Sequence, residues 1–260
     1  MLDKVPILRI HKKEGGTKTK DTVVIEHTLT IILNNQELVS LLCSPEKLEY
    51  LGIGFLFSEG LIKSKADIGR IALNEKQDEI EIETTTPGKL PEDRAFKRLI
   101  ASSGGRGITS HDLDQGENRI ESQLKISPVE VFNLLEEFVH QSEVFEATGG
   151  VHSAALSDTK GILVFSDDIG RHNAIDKVFG ECLVKAILTD DHIIITSGRV
   201  SSEIVYKVVK RNIPVLISKS APTDKGVKLA ADLGITLIGF VREGRMNVYT
   251  HDWRVVPNGK

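Results

Sequence analysis

The stretch from His192 to Ser218, HIIITSGRVSSEIVYKVVKRNIPVLIS, decides the fold. His192 to Thr196 is a short β-branched run that reads as a strand, Ser201 to about Arg211 reads as a helix, and Ile213 to Ser218 is a second strand. The pattern continues downstream with a helix from about Asp224 to Leu233, a strand from Ile235 to Val241 and a last strand from Arg245 to His251. Upstream, Gly150 to Leu156 and Ile162 to Ser166 form a hairpin around Asp158-Thr159-Lys160-Gly161, followed by a helix from about Asn173 to Leu188. Strand–helix alternation of this kind predicts an α/β domain: right-handed crossovers and a largely parallel sheet with helices on its faces.

The chain before this region reads differently. Val5 to Ile10, Thr22 to Leu33 and Glu37 to Cys43 are strand-like, with turns at Glu14-Gly15-Gly16 and Asn34-Asn35. Ser44-Pro45-Glu46 predicts a helix start, with Ser as N-cap and Pro at the first helical position, and Gly60 a stop. Ile68 to Leu73 and Glu79 to Thr84 are two further short strands. Ala101 to Glu121 is polar and Gly-rich, and loops of that length in compact domains are usually functional or disordered. It ends at Ser127-Pro128-Val129-Glu130, a capping box that opens a helix with Val131, Leu134, Leu135 and Phe138 on one face. With a boundary near Glu143 to Thr148, the expected division is a β-rich part over 1–146 and an α/β part over 147–260.

Composition narrows the function classes. Two cysteines in 260 residues exclude a disulfide scaffold and any four-cysteine metal site. The longest apolar stretches, such as Leu51 to Phe57, fall far short of the ~20 residues of a membrane span. The N-terminus shows no signal-peptide pattern, so a cytosolic protein is expected. A net charge of −4 argues against general nucleic-acid binding. From Thr148 onward, however, 15 Lys and Arg stand against 12 Asp and Glu, whereas the remainder carries 18 against 25. An anionic ligand is therefore more welcome in the second part.

In open α/β sheets ligands bind beyond the carboxyl ends of the strands. Those ends here read Asp167-Asp168-Ile169-Gly170-Arg171-His172-Asn173, Ser197-Gly198-Arg199-Val200-Ser201-Ser202-Glu203, Lys219-Ser220-Ala221-Pro222-Thr223 and Phe240-Val241-Arg242-Glu243-Gly244-Arg245. All four place Arg or Lys beside Gly, Ser or Thr, and three enter helices. Helix N-termini offer free N–H groups and partial positive charge, and arginine matches phosphate bidentately. A phosphate-bearing, nucleotide-like ligand is the physical inference. Neither a P-loop nor Gly-x-Gly-x-x-Gly is present. His152 and His172, with Asp168, are candidates for acid–base work. The His-x-Glu and Cys-x-x-Cys signatures of a zinc deaminase are absent, and no metal site is expected. Cys43 and Cys182 sit on apolar elements and read as small buried hydrophobes.

Six ordered motifs resemble one family: Gly54-Phe-Leu-Phe-Ser-Glu-Gly60, Thr148-Gly-Gly-Val-His-Ser-Ala-Ala155, Asp168-Ile-Gly-Arg-His-Asn-Ala-Ile-Asp-Lys177, Ser197-Gly-Arg-Val-Ser-Ser-Glu203, Lys219-Ser-Ala-Pro-Thr223 and Gly239-Phe-Val-Arg-Glu-Gly-Arg245. They are similar to the formate dehydrogenase accessory sulfurtransferases, FdhD, over about Thr22 to Thr250. The resemblance implies a cytidine-deaminase-like α/β domain with a smaller N-terminal part, and a cytoplasmic homodimer. It implies that sulfur passes from a cysteine desulfurase to the molybdenum (or tungsten) bis-guanine-dinucleotide cofactor, which then enters the formate dehydrogenase apoenzyme. GDP-like molecules would mimic that cargo.

The family's cofactor stretch falls on Phe240, Val241, Arg242, Glu243, Gly244 and Arg245. His152, Arg171, His172, Ser197, Gly198 and Arg199 extend it as expected cofactor-binding residues. The resemblance departs at one place. The family's persulfide loop, Ser-Ser-Cys-Gly-x-Cys-Gly, matches Ser102-Ser103-Gly104-Gly105-Arg106-Gly107, which is one residue shorter and has no cysteine. A persulfide needs a thiolate, which neither Ser nor Gly supplies. Three alternatives stand beside the sulfurtransferase reading: a cofactor carrier without sulfur transfer, a metal-free deaminase-like nucleotide enzyme, and a protein-binding module bridging desulfurase and dehydrogenase.

Overall fold

A computed structural model of the chain describes residues 1–13, 15–74, 78–86, 99–100, 119–242 and 244–257. β1 (Leu2–His11) and β2 (Gly15–Val24) form a two-stranded sheet of their own. A second sheet of five strands has the order β5-β6-β3-β4-β7, built from β3 (His27–Leu33), β4 (Gln36–Cys43), β5 (Ile68–Asn74), β6 (Glu79–Thr84) and β7 (Leu99–Ile100). Thr22 to Leu33 is therefore two strands and not one, broken at Ile25 and Glu26. The Asn34-Asn35 turn joins β3 to β4, with φ of 50° and 63°. Both residues lie in the left-handed region that a tight hairpin needs and that Asn tolerates.

The third sheet has six strands in the order β13-β12-β11-β10-β8-β9. Its members are β8 (His152–Ser157), β9 (Ile162–Asp168), β10 (Ile193–Thr196), β11 (Val215–Ser218), β12 (Thr236–Arg242) and β13 (Arg245–Val248). The fold is α/β as expected, but the sheet is mixed. Only β10–β11 and β11–β12 pair in parallel, while β8–β9, β8–β10 and β12–β13 are antiparallel. Loop length explains the difference. Short links can join only antiparallel neighbours, whereas α5 (Ser202–Val209) and α6 (Asp224–Asp232) supply the crossovers that parallel pairs require.

Alternate residues of this sheet enter two cores. Ala155, Ile193, Ile195, Val215 and Ile217 face α2 (Pro128–His140), whose Val131, Leu134, Leu135 and Phe138 are buried. The expected capping box is present: Ser127 Oγ accepts from the Glu130 N–H at 3.2 Å, and Glu130 accepts from the Ser127 N–H at 2.6 Å. Ala154, Leu156, Ile194 and Leu216 face the other core, which continues through Ile175 and Phe179 to Leu51, Leu29 and Ile80 of the first part. The core thus runs across the 146/147 division, and α2, from the first side of it, covers a sheet from the second. The region Glu143 to Thr148, read as a boundary, is a short helix, α3 (Glu143–Thr148).

The two parts meet along α1 (Leu48–Glu59) and α4 (Arg171–Lys185). A Cβ built on Gly54 would lie 1.8 Å from the Asp176 carbonyl oxygen, and one on Gly180 would lie 2.0 Å from that of Tyr50. The helix backbones therefore touch, and only glycine fits at the crossing. Gly60 ends α1 in the left-handed conformation, as expected. The helix start differs from expectation. α1 begins at Leu48 after a left-handed Lys47, and Ser44 is not its N-cap. Ser44 instead donates its N–H and Oγ–H to the buried Asp168 carboxylate at 3.0 and 3.1 Å. A buried carboxylate needs such donors more than an exposed helix end needs a cap.

Candidate functional site

β9, β10, β11 and β12 end on one edge of the six-stranded sheet, and β8 begins there, because β8 is antiparallel to both its neighbours. His152, the first residue of β8, pairs with Asp168, the last of β9. The chain after β10 folds back onto β8. The Ser197 N–H donates to the Ser153 carbonyl at 3.0 Å, and Ser197 Oγ accepts from the Ser153 N–H at 2.9 Å. Ser197 Oγ also lies 3.3 Å from His152 Nδ1. The next turn is fixed by hydroxyls: Gly198 N–H donates to Thr196 Oγ1, and Ser218 Oγ–H donates to the Gly198 carbonyl. Lys219 and Ser220 follow β11 on the same edge, and the Phe240 N–H donates to the Ser220 carbonyl at 3.1 Å.

Arg171 opens α4 and lies across Gly198. A Cβ on Gly198 would stand 2.8 Å from the Arg171 Cβ and 3.1 Å from its Cδ. Two helices start here without a side-chain cap, α4 after Gly170 and α5 after Ser201. Around them lie buried polar atoms with no hydrogen-bond partner among the described residues: Arg171 Nε, both His172 ring nitrogens and Ser201 Oγ. Uncapped helix N-termini beside an unsatisfied guanidinium nitrogen make an anion-binding arrangement. Burial, and then the neighbouring Arg199 charge, lower the Arg171 pKa, and the Glu203 carboxylate nearby acts against them.

The far end of the edge is the β12–β13 hairpin. Gly239 to Arg242 contains a register shift, and Phe240 adopts φ of 52°. A bulky residue in the left-handed region is strained, and such strain concentrates at functional sites. Arg242 and Arg245 are exposed and directly opposed in the ladder, with Gly244 in the turn between them. The Arg242 guanidinium lies 5.8 Å from the Phe240 ring centre. Val241 is buried in the core beneath the hairpin. Glu243 lies outside the described residues.

The structure thus brings His152, Arg171, His172, Ser197, Gly198 and Arg199 to one edge, with Phe240, Arg242 and Arg245 on the strands that continue it. It does not support acid–base work by Asp168. That carboxylate is fully buried, pairs with Lys177 Nζ at 2.7 Å, and accepts from Ser44, the Gly170 N–H and Asn173 Nδ2. Its acceptor sites are taken, and it ties the β4 end to α4. Burial, with Lys207 and Arg171 nearby, pushes the His172 pKa down to about 2, so this ring stays neutral. Burial and then Arg171 also lower that of His152. Glu203, which stands 3.5 Å from His172 Nε2, was not singled out in the sequence, although it closes the Ser197–Glu203 motif. Burial raises its pKa.

Neither thiol is placed for chemistry. Cys43 and Cys182 are both buried, and burial pushes each thiol pKa up to about 12. The matching loop residues Ser102, Ser103, Gly104, Gly105, Arg106 and Gly107 lie outside the described residues. Among the described residues, no group of three or more His, Cys, Asp or Glu side chains is arranged to hold a metal ion. No helix of the described residues is long and apolar enough to cross a membrane.

Comparison with known proteins adds a lineage to this geometry. The model of the FdhD/NarQ family matches residues 24–256. The sulfur carrier protein FdhD of Bacillus subtilis (strain 168) is 42% identical over 261 residues, spanning 98% of this chain and 99% of that protein. The protein of the same name from Listeria innocua is 37% identical, over 96% of this chain and 98% of its own length. The crystal structure of a putative formate dehydrogenase accessory protein from Desulfotalea psychrophila superposes with a TM-score of 0.79 at 26% identity, covering 98% of this chain and 99% of that one.

Proposed function

The chain belongs to the FdhD/NarQ family, and from that premise we propose that it is a formate dehydrogenase accessory protein that binds the molybdenum bis-guanine-dinucleotide cofactor as cargo and hands it to the apoenzyme. The observation that carries the reading is the cationic strand edge. Arg171, Arg199, Lys219, Arg242 and Arg245 lie along strand ends that also present two uncapped helix starts. The unpartnered Arg171 Nε, His172 and Ser201 atoms are what an edge shaped for phosphate-rich cargo leaves unsatisfied until that cargo arrives. Neutral His152 and His172 suit hydrogen bonding to such a ligand better than charge pairing with it.

The sulfur step is assigned differently from the relatives named as sulfur carriers. Relay through a cysteine persulfide needs an accessible thiolate. The chain has two cysteines, both buried with pKa values pushed up to about 12, and its 102–107 segment has none. A cysteine desulfurase therefore finds no thiol here to load, and the proposed activity is binding and delivery of the cofactor. The deaminase-like enzyme reading is disfavoured by the saturated Asp168 and the neutral, enclosed His172.

The test is complementation of a strain that lacks its own family member. The native chain should fail to restore formate dehydrogenase activity. A variant with Cys-Gly-x-Cys restored within residues 102–107 should rescue it. Full rescue by the native chain would show that sulfur transfer proceeds without the loop cysteines. Failure of both would remove the assigned accessory role.

A further inference from the structure

The short helix α3 carries an aromatic ring to the strand edge. Ser142 Oγ–H donates to Asp167 Oδ2 at 2.8 Å and accepts from the Phe145 N–H at 3.0 Å. Asp167 is the next-to-last residue of β9, so this bond pins the start of α3 where β9 ends. The other end is fixed too. The Gly149 N–H donates to the Phe145 carbonyl at 2.7 Å, and Thr148 Oγ1 donates to the Val144 carbonyl at 2.7 Å and accepts from the Gly150 N–H at 3.0 Å. From Gly150 the chain runs directly into Val151 and His152.

On this fixed backbone Val144 is half-buried and Phe145 is turned outward, 41% exposed. A single exposed apolar side chain is ordinary. Phe145 differs by its neighbour. Lys219, the first residue after β11, places its Nζ 5.9 Å from the Phe145 ring centre. That is the outer limit of a cation–π contact, so the ring stays open to a second partner. The Lys219 N–H donates to the carbonyl of Thr196, the last residue of β10, at 3.2 Å, which holds this segment at the same edge. An open, flat apolar surface therefore borders a cation among the strand ends that carry the arginines.

We propose that Phe145 is the stacking platform for a fused heteroaromatic ring of the cargo, with Lys219 beside it taking the charge of the adjoining phosphate. The inference rests on the cofactor-binding reading above and adds to it a residue outside the motif from Phe240 to Arg245. Arginines and helix starts bind phosphate but leave a ring system in water. A pinned phenyl ring offers stacking at little ordering cost, and a cation beside it suits a ligand that is flat at one end and anionic at the other. The cofactor supplies two such rings, guanine and the pterin, and both are flat, fused and nitrogen-rich.

The experiment is calorimetric titration of guanosine diphosphate, pyrophosphate and hydroxymethylpterin into the native full chain and into Phe145→Ala, Phe145→Leu and Phe145→Tyr. Phe145→Ala and Phe145→Leu should weaken a ring-bearing probe by roughly five- to a hundredfold, Phe145→Tyr should keep the native affinity, and pyrophosphate binding should be unchanged in all three. A loss with guanosine diphosphate assigns the platform to guanine, and a loss with the pterin alone assigns it to the pterin. Native binding of guanosine diphosphate with both ring affinities unchanged in Phe145→Ala would overturn the proposal and leave the cofactor reading standing. Equal weakening of pyrophosphate would also overturn it, because the change would then act on the anion site, as would native affinity in Phe145→Leu, because bulk would then suffice. Absence of binding by all three probes to the native chain would overturn the cofactor reading and this inference with it.

Discussion

Arg242 and Arg245 face each other in direct register across the β12–β13 turn, two exposed arginines on adjacent strands. Like charges directly opposed in a ladder destabilise it. An anion bridging them reverses the sign, and charge-assisted hydrogen bonds are worth about 1.5–3 kcal/mol each. Arg242→Ala should therefore weaken binding of a guanosine diphosphate probe by roughly ten- to a hundredfold. The same change should leave the melting temperature of the ligand-free protein equal or slightly raised. Equilibrium binding and a thermal melt on the same sample check both halves.

Asp168 is assigned to structure and not to catalysis. Its substitution by Ala would leave Lys177, fully buried, without its 2.7 Å partner. Breaking a buried pair on one side costs about 3–5 kcal/mol. Urea denaturation of Asp168→Ala should show a loss of that order. A variant as stable as the native chain would return Asp168 to the list of candidate acid–base groups.

The contact between α1 and α4 makes a second stability prediction. Gly54→Ala would place a methyl 1.8 Å from a backbone carbonyl that a side-chain rotation cannot move. The helices must separate, at a cost of about 3 kcal/mol or more. Gly149→Ala, with open space around its Cβ, meets only the strain of φ 64° and should cost about 1 kcal/mol. Paired denaturation curves check the ranking.

Protonation of His172 should appear in the pH dependence of stability. The folded ring stays neutral down to about pH 2, whereas an unfolded imidazole takes a proton near pH 6.5. The folded pKa is depressed, so the contribution is complete above ~6.5 and drains as pH falls, by up to about 1.4 kcal/mol per pH unit. Glu203 and Asp176 act with the opposite sign, because burial raises their carboxyl pKa values, and the comparison with His172→Gln removes their contribution because both proteins carry it. Between pH 6.5 and 5 the native chain should therefore lose stability more steeply than His172→Gln. Parallel curves would contradict the enclosure of His172.

The persistence of the thiols as thiols is a further expected outcome. After incubation with a cysteine desulfurase and cysteine, the native chain should gain no sulfur by intact-mass measurement. A one-sulfur gain mapped to Cys43 or Cys182 would show that a buried thiol becomes accessible.

Much of this was legible in the sequence because it is local. The β-branched runs, the Asn34-Asn35 turn, the Ser127 capping box and the glycine stop at Gly60 each depend on neighbours a few residues away. Ser44 was misread because Ser-Pro-Glu satisfies the local chemistry of a helix start, while its hydroxyl is claimed by Asp168, 124 residues on. The mixed sheet was hidden for the same reason, since strand order is a long-range choice. Of the site, the strand-end arginines were visible. The opposition of Arg242 and Arg245, the seating of Arg171 on Gly198 and the saturation of Asp168 required the register and the packing.

The most direct measurement is calorimetric titration of guanosine diphosphate into the native protein at low salt. The account predicts saturable binding that weakens on Arg242→Ala and on raising the salt concentration, because phosphate contacts at an exposed edge are screened. Absence of any binding heat at millimolar nucleotide, across temperatures that would reveal a silent enthalpy, would contradict it.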